Sequence, residues 1–232
     1  NLTPSETWTS GHRTPYGLAF ERDGKLWEVE HGPRGGDELN LIEAGKNYGW
    51  PYVVGFKDDK AYVYGNWSAS KPEPCGSLLG ININAIPRSV PQQKETDWNH
   101  PDFREPLKTF FTVAEGADVQ KAPGSGTAGI SGLDFYAGGA SPIPGWENSL
   151  LALGMTRGRV YRLKLTADGR EVSGEAAEYF QTPNRYRDIV IHPDQRTFYF
   201  STDTQGRTTN RSGQFSNAIE NPGAILEFKY VQ

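Results

Sequence analysis

The residues most suited to chemistry lie between Glu30 and Glu38, in the segment EHGPRGGDE. This segment places a histidine and adjacent carboxylates on a backbone that glycines free to adopt unusual dihedral angles. Carboxylates in loops, without cysteine or clustered histidine, favour Ca²⁺ over Zn²⁺. Such carboxylates here are Asp37, Glu38, Asp58, Asp59 and Glu95. The pattern indicates a metal site or a polar surface loop, since Gly and Pro are common in turns.

Two arginines form a second candidate group. Arg185 and Arg187 alternate in the segment NRYRD, so a strand there would place both guanidinium groups on one face. Planar guanidinium groups suit the binding of carboxylates. The alternative interpretation is a pair of exposed arginines beside acidic neighbours.

Short apolar runs on either side of the segment from Glu30 to Glu38 are predicted to be the strands that position its side chains. Tyr16–Phe20 and Leu26–Val29 flank an Asp-Gly pair, which is typical of a β-hairpin. A third run, Leu39–Ile42, follows the histidine and carboxylate segment. Residues 4–10 are predicted to form one further short strand.

The same plan of a small residue, an apolar run, a turn and a second apolar run occurs three times. The repeats begin at Gly17, Gly132 and Asp188. Repetition of four-stranded units is typical of a β-propeller, whose blades take about 40–50 residues. The length therefore predicts three blades and a long insertion at residues 52–128, in which residues 62–64 and 108–113 are predicted to form short strands.

Composition supports an all-β chain and excludes several classes of function. The 232 residues include 27 Gly and 16 Pro, which suits many short strands and turns. A net charge of −4 offers no electrostatic footprint for nucleic acid or an anionic membrane. A single cysteine excludes an internal disulfide framework, and no apolar run reaches the roughly 18 residues of a membrane span.

Five motifs in order give the chain a specific family resemblance: GHRTPYGLAF, EHGPRGGDEL, NYGWP, GWENSLL and NRYRD. The chain resembles the soluble quinoprotein (PQQ-dependent) glucose and aldose sugar dehydrogenases, which are grouped with the sorbosone dehydrogenases. The resemblance implies a six-bladed β-propeller of which about three blades are present. Residues 1–232 would be the C-terminal part of that single domain, and the loop-rich insertion 52–128 would contribute to a dimer interface.

The resemblance also implies a structural calcium site. Its side-chain ligands would be Glu38, Asp58 and Glu95, and its main-chain carbonyl ligands would belong to Tyr48, Val54 and Phe56. A second calcium ion would bind the carbonyls of Gly32 and Pro33 and polarise the quinone oxygens of PQQ.

The positions implied to contact PQQ itself are Arg13, Thr14, His31, Thr156, Arg185 and Arg187. Three of them depart from the glucose dehydrogenase pattern. Thr14 replaces Asn, and His31 replaces Gln, as it does in the aldose dehydrogenases. Thr156 replaces a lysine that pairs with the cofactor, and the neighbouring Arg157 is a possible substitute.

The implied reaction is oxidation of the C1 hydroxyl of an aldose to a lactone, in the periplasm or outside the cell. The family's catalytic histidine base lies in the N-terminal half, and no residue here matches it, so His31 is at most an auxiliary group and His12 is interpreted as structural. The chain alone is expected to be inactive and to need its N-terminal half or a homodimer partner. Two alternatives stay open: a non-catalytic calcium-binding propeller fragment or interaction module, and a calcium-dependent propeller hydrolase.

Overall fold

The computed structural model describes residues 6–33, 35–60, 62–69, 86, 89–110 and 126–231. Its strands in chain order are β1 (Pro15–Phe20), β2 (Leu26–Glu30), β3 (Asp37–Ile42), β4 (Tyr64–Gly65), β5 (Gln92–Gln93), β6 (Lys108–Phe110), β7 (Ile130–Tyr136), β8 (Ser149–Gly154), β9 (Arg159–Lys164), β10 (Ala177–Tyr179), β11 (Tyr186–Ile191), β12 (Thr197–Thr202), β13 (Thr208–Thr209), β14 (Phe215–Ser216) and β15 (Ile225–Lys229).

Three antiparallel sheets hold most of these strands. Their strand orders are β1-β2-β3-β6, β7-β8-β9-β10 and β11-β12-β15. Two short pairs, β4 with β5 and β13 with β14, lie outside them. The prediction of an all-β chain is therefore confirmed. The three propeller blades stay a prediction, since the third sheet has three strands and the described strands do not close into a ring.

The first strands of the three sheets lie side by side, with β7 between β1 and β11. A methyl group at Gly17 of β1 would lie 2.6 Å from the nitrogen of Leu133 in β7, and one at Gly132 would lie 3.0 Å from the Cα of Asp188 in β11. The small residue that opens two of the repeats is thus required because the backbones approach closely. The three strands begin at the same end, because Ser131 contacts Tyr186 and Asp134 contacts Ile191 further along, while Arg22 after β1 contacts Ala137 after β7.

Apolar side chains fill the two spaces between successive sheets. One cluster packs the first sheet on the second and includes Trp27, Leu39 and Leu150. The other packs the second sheet on the third and includes Leu151, Phe198 and Phe200. Because Leu150 and Leu151 alternate along β8, the middle sheet is buried on both faces.

The insertion at residues 52–128 is not wholly separate from the first sheet, since its strand β6 pairs with β3. The strand predicted at 108–113 is seen over Lys108–Phe110, and residues 111–113 lie outside the described residues. The strand predicted at 62–64 is shorter and shifted, and it pairs as β4 with β5. Residues 70–85, 87–88 and 111–125 of the insertion also lie outside the described part.

The strand predicted over residues 4–10 is wrong for its described part. Residues 6–9 have no ladder partner, and Ser10 makes only an isolated bridge with Asn47. The Trp8 carbonyl accepts a hydrogen bond from Gly45 N instead, so this segment follows a loop rather than a sheet. The described residues form two short 3₁₀ helices, Trp67–Ala69 and Glu95–Asp97. None of the described helices is long and apolar enough to cross a membrane.

Candidate functional site

The residues singled out for cofactor binding meet at one end of the three sheets. Strands β1, β7 and β11 begin at this end, and β2, β8 and β12 finish there. Each first strand carries a β-bulge here, and the extra residue is Tyr16 in β1 and Arg187 in β11. A bulge releases a residue from the ladder and turns its side chain, which is common beside active sites.

Asp37 is the centre of a buried hydrogen-bond network at this end. Its fully buried carboxylate accepts bonds from the backbone N–H groups of Gly32 (2.9 Å), Ala128 (2.7 Å) and Gly129 (2.9 Å). The Thr127 hydroxyl also donates to it, at 2.7 Å. One side chain thus fixes the loop that follows β2 and the loop that precedes β7.

The same carboxylate orients His31. Nδ1 of His31 lies 3.0 Å from Asp37 Oδ1 and 3.1 Å from Thr127 Oγ1. Because an ionised carboxylate only accepts hydrogen bonds, Nδ1 carries the proton in the neutral imidazole, and Nε2 then keeps its lone pair. His31 can therefore accept a proton or a hydrogen bond at Nε2.

Arg13 lies against the loop that contains His31. Its guanidinium donates to the His31 carbonyl at 2.8 Å and to Thr14 Oγ1 at 3.0 Å, and it lies 5.4 Å from the centre of the Trp50 ring. A small cavity adjoins it and is also lined by Gly32 and Pro33. The structure thus brings Arg13, Thr14, His31 and the Gly-Pro pair together.

Arg185, which precedes β11, and Arg187, the bulge residue of β11, share one carboxylate. Arg185 Nε donates to Asp203 Oδ2 at 3.0 Å, while Arg187 donates to both Asp203 oxygens at 2.9 and 3.0 Å. Arg187 also lies over the ring of Tyr16, 5.6 Å from its centre. Two positive charges face one negative charge, so the group retains an excess of positive charge for an anionic ligand.

Thr156 is placed at the same end but its hydroxyl is engaged with backbone. It donates to the Thr127 carbonyl at 3.1 Å, and the Thr209 hydroxyl donates to the Thr156 carbonyl at 2.8 Å. Thr156 therefore links the second sheet to the loop held by Asp37 rather than presenting a charge.

Two of the acidic residues singled out for structural calcium, Glu38 and Glu95, contact the loop at residues 52–59. Glu38 Oε1 accepts from Gly55 N at 2.6 Å, and Glu95 accepts from Val54 N at 2.8 Å and from Asp59 N at 2.9 Å. Both carboxylates are thus brought to neighbouring peptide groups of one loop.

For the remaining proposed ligands of structural calcium, the structure shows fewer contacts with this loop. Asp58 Oδ2 lies 3.0 Å from Lys60 Nζ, so part of its charge is already paired. Phe56 lies in the same loop as Val54 and is partly exposed, while Tyr48 is buried with its hydroxyl on the Leu41 carbonyl.

Burial changes the acidity of these groups. Removal from water, and then the charge of Glu30, raise the pKa of Glu38 well above its ordinary value. Burial raises the pKa of Glu95 to about 7. A bound cation would stabilise both carboxylates in their charged form.

Sequence reasoning did not identify several residues that organise the site. Asp37 is recognisable as a loop carboxylate, but its partners Thr127–Gly129 are about ninety positions away. Asp203, which joins the two arginines, has no distinguishing neighbour in the sequence. His12, interpreted as structural, lies in a group with Glu28 and Glu30 that combines metal-binding side chains.

Comparison with known proteins gives consistent matches. The family model of glucose / sorbosone dehydrogenase matches residues 2–72 and 100–210. Quinoprotein glucose dehydrogenase B of Acinetobacter calcoaceticus is 39% identical over 240 residues, covering 99% of this chain and 49% of that protein. The chain thus spans about half the length of this curated relative.

Solved structures agree with this match. A crystal structure of a glucose dehydrogenase shares 30% identity and a TM-score of 0.53, over 85% of this chain and 44% of that one. The PQQ-bound aldose sugar dehydrogenase of Streptomyces coelicolor has a TM-score of 0.54 over 97% of this chain and 46% of that one. At 19% identity, this second likeness concerns the fold alone.

Proposed function

Because the chain belongs to the glucose and sorbosone dehydrogenase family, we propose that it is the cofactor- and calcium-binding part of a PQQ-dependent sugar dehydrogenase. The complete enzyme would oxidise the C1 hydroxyl of an aldose to a lactone. The observation that carries the proposal is the meeting of Arg13, His31 and the arginine pair Arg185 and Arg187 at one end of three sheets.

The chemistry of the site fits a quinone that carries carboxylates. Arg185 and Arg187 share one anion, and the Arg13 guanidinium donates to a carbonyl and a hydroxyl. These groups would bind and orient the carboxylates of PQQ. When bound, PQQ supplies the acceptor for hydride from the sugar carbon.

The chain's other residues would prepare this site. Asp37 keeps the proton of His31 on Nδ1, so Nε2 would accept a hydrogen bond or a proton. The carbonyls of Gly32 and Pro33 are the proposed ligands of the cofactor calcium, beside the cavity that Arg13 lines. Glu38, Asp58 and Glu95, with the carbonyls of Tyr48, Val54 and Phe56, are the proposed ligands of structural calcium.

We propose that the catalytic base and most sugar contacts lie outside these residues, in the half that this chain's relatives have in addition. Along β1, Tyr16, Leu18 and Phe20 alternate with buried residues and are 48%, 61% and 68% exposed. Such an apolar row on an edge strand suits burial by further sheets of a six-bladed propeller, or by a partner copy. The enzyme would act in the periplasm or outside the cell.

One observation favours a second candidate, a non-catalytic calcium-binding module. Thr156 stands where the resemblance expects a lysine, and its hydroxyl is bonded to backbone. A cofactor carboxylate would then lack one counter-ion, which weakens its binding.

Dye-linked oxidation of glucose tests the proposal. The chain joined to its missing half should reduce the dye in the presence of PQQ and Ca²⁺, while the 232-residue chain alone should show no activity. Sugar oxidation by the mass-verified chain alone would place the base within it. No oxidation of any aldose by the complete protein would favour the non-catalytic module.

A further inference from the structure

We propose that His12, Glu28 and Glu30 form a binding site for a divalent transition-metal ion, next to Glu38 of the proposed structural calcium site but with a different ligand set. One ligand atom of each residue lies within 4.8 Å of the other two. His12 Nδ1 and Glu30 Oε1 are 3.8 Å apart. Ligands about 2.0–2.2 Å from a tetrahedral Zn²⁺ are separated by about 3.4 Å, so the ligand atoms would have to move towards one another to bind the ion.

The protein holds the second polar atom of each carboxylate. Glu30 Oε2 accepts from the backbone N–H groups of Arg13 at 2.7 Å and Thr14 at 3.2 Å. Glu28 Oε2 accepts from Asn40 Nδ2 at 3.0 Å. Glu28 therefore has one oxygen fixed and one without a partner, while Glu30 has one oxygen fixed and the other 3.8 Å from His12 Nδ1. Fixing of ligand side chains by surrounding groups is common in metal sites.

The imidazole of His12 is fixed in the same way. Its Nε2 lies 2.9 Å from Thr9 Oγ1, and its ring stacks on Tyr48 at 4.7 Å. If Nε2–H donates to the threonine, the lone pair of Nδ1 faces the two carboxylates. A nitrogen ligand is unusual for Ca²⁺ but common for Zn²⁺, Mn²⁺ and Co²⁺, which sets the class of ion.

Unpartnered polar atoms give independent support for a missing ligand. Glu28 is 1% exposed and its Oε1 has no hydrogen-bond partner, and His12 Nδ1 has none either. Asn40, which is fully buried and bonded to Glu28, also has an unpartnered Oδ1. Buried polar atoms without partners cost free energy, and a cation at this point would satisfy them.

The negative charge of the site also favours a bound cation. Glu30 is opposite Glu38 in the pairing of β2 with β3, so a third carboxylate lies beside the pair. Among the described residues no lysine or arginine forms an ion pair with Glu28 or Glu30. A shared proton is the rival explanation, since burial and the charge of Glu30 raise the pKa of Glu28.

Metal titration of the tag-free, chelator-treated protein in saturating Ca²⁺ tests the proposal. Co²⁺ should produce a visible absorption spectrum typical of nitrogen and oxygen ligands, and Zn²⁺ should displace it with one ion per chain. Glu28→Gln should weaken Zn²⁺ binding by at least about tenfold while leaving calcium binding intact. The matched variant Glu95→Gln should lose calcium and retain zinc.

Zn²⁺ bound equally by the wild type and Glu28→Gln, or not bound by the wild type, would overturn the metal site and favour the shared proton. Since Glu28→Gln removes a buried charge, it should fold in chelator at least as stably as the wild type. Should it fail to fold, His12→Gln decides by the same titration, with loss of the Co²⁺ spectrum expected. These readouts need neither PQQ nor sugar, so their outcome is independent of the proposed dehydrogenase activity.

Discussion

Asp37 is the residue on which the candidate site depends most, because its buried carboxylate binds two loops and one histidine. Its position next to Glu38 draws attention in the sequence, but its role does not follow from that position. The role depends on Thr127 and the peptide groups after it, which only the packing of two sheets brings near. The spacing of Arg185 and Arg187 suggests one shared face, but their meeting at Asp203 depends on the bulge at Arg187, which the sequence does not show.

Glu95 gives a prediction of pH dependence at the same scale. Its pKa in the fold is about 7, against 4.5 for an unperturbed glutamate, because burial disfavours the charged form. Without metal, its contribution to stability should be fully present below about pH 4.5 and be lost as the pH rises through 7. Calcium binds the ionised carboxylate, so stabilisation by calcium should grow over the same interval.

Melting temperatures measured from pH 4.5 to 8, in chelator and in Ca²⁺, check this expectation. The difference between wild type and Glu95→Gln isolates Glu95 from Glu38, whose pKa is also raised. A calcium effect that is independent of pH in the wild type, or unchanged in the variant, would remove Glu95 from the calcium site.

At the scale of elements, the hairpin of β1 and β2 is the best-predicted feature. The Asp-Gly pair and the flanking apolar runs indicate it, and Phe20 pairs with Leu26 as expected. The bulges that place Tyr16 and Arg187 could not be predicted, since they adjust each first strand to its neighbour. The prediction of a strand at residues 4–10 is wrong for a related reason. An alternating pattern of side chains does not show whether a neighbouring strand is available to pair with that segment.

The close approach of β1 to β7 leads to a stability prediction. Gly17→Ala would place a methyl group 2.6 Å from backbone at Leu133, so the sheets must separate locally. We expect the free energy of unfolding to fall by about 2 kcal/mol, as measured by denaturant titration.

Gly139→Ala is the matched control, because its methyl group would meet only the flexible side chain of Gln195. It should change the free energy of unfolding by less than about 0.5 kcal/mol. Equal effects of the two variants would show that the glycine of the repeat is not needed for sheet packing.

At the scale of the whole molecule, three repeats in the sequence correspond to three sheets with two apolar interfaces between them. The repeats can be recognised in the sequence because each unit uses the same strand and turn pattern. The number of blades in a closed ring is a property of the complete protein, so the six-bladed propeller stays a prediction. The exposed apolar row on β1 is the surface on which that prediction can be tested.

The central claim is that this chain carries the cofactor site, and titration of PQQ into the complete protein tests it most directly. Binding should require Ca²⁺, and Arg187→Gln should weaken it by about tenfold or more, since a charge-assisted hydrogen bond contributes roughly 1.5–3 kcal/mol. Arg170→Gln, in a turn outside the three main sheets, should leave the affinity unchanged. PQQ binding that depends neither on Ca²⁺ nor on Arg187, or no binding at all, would contradict the account.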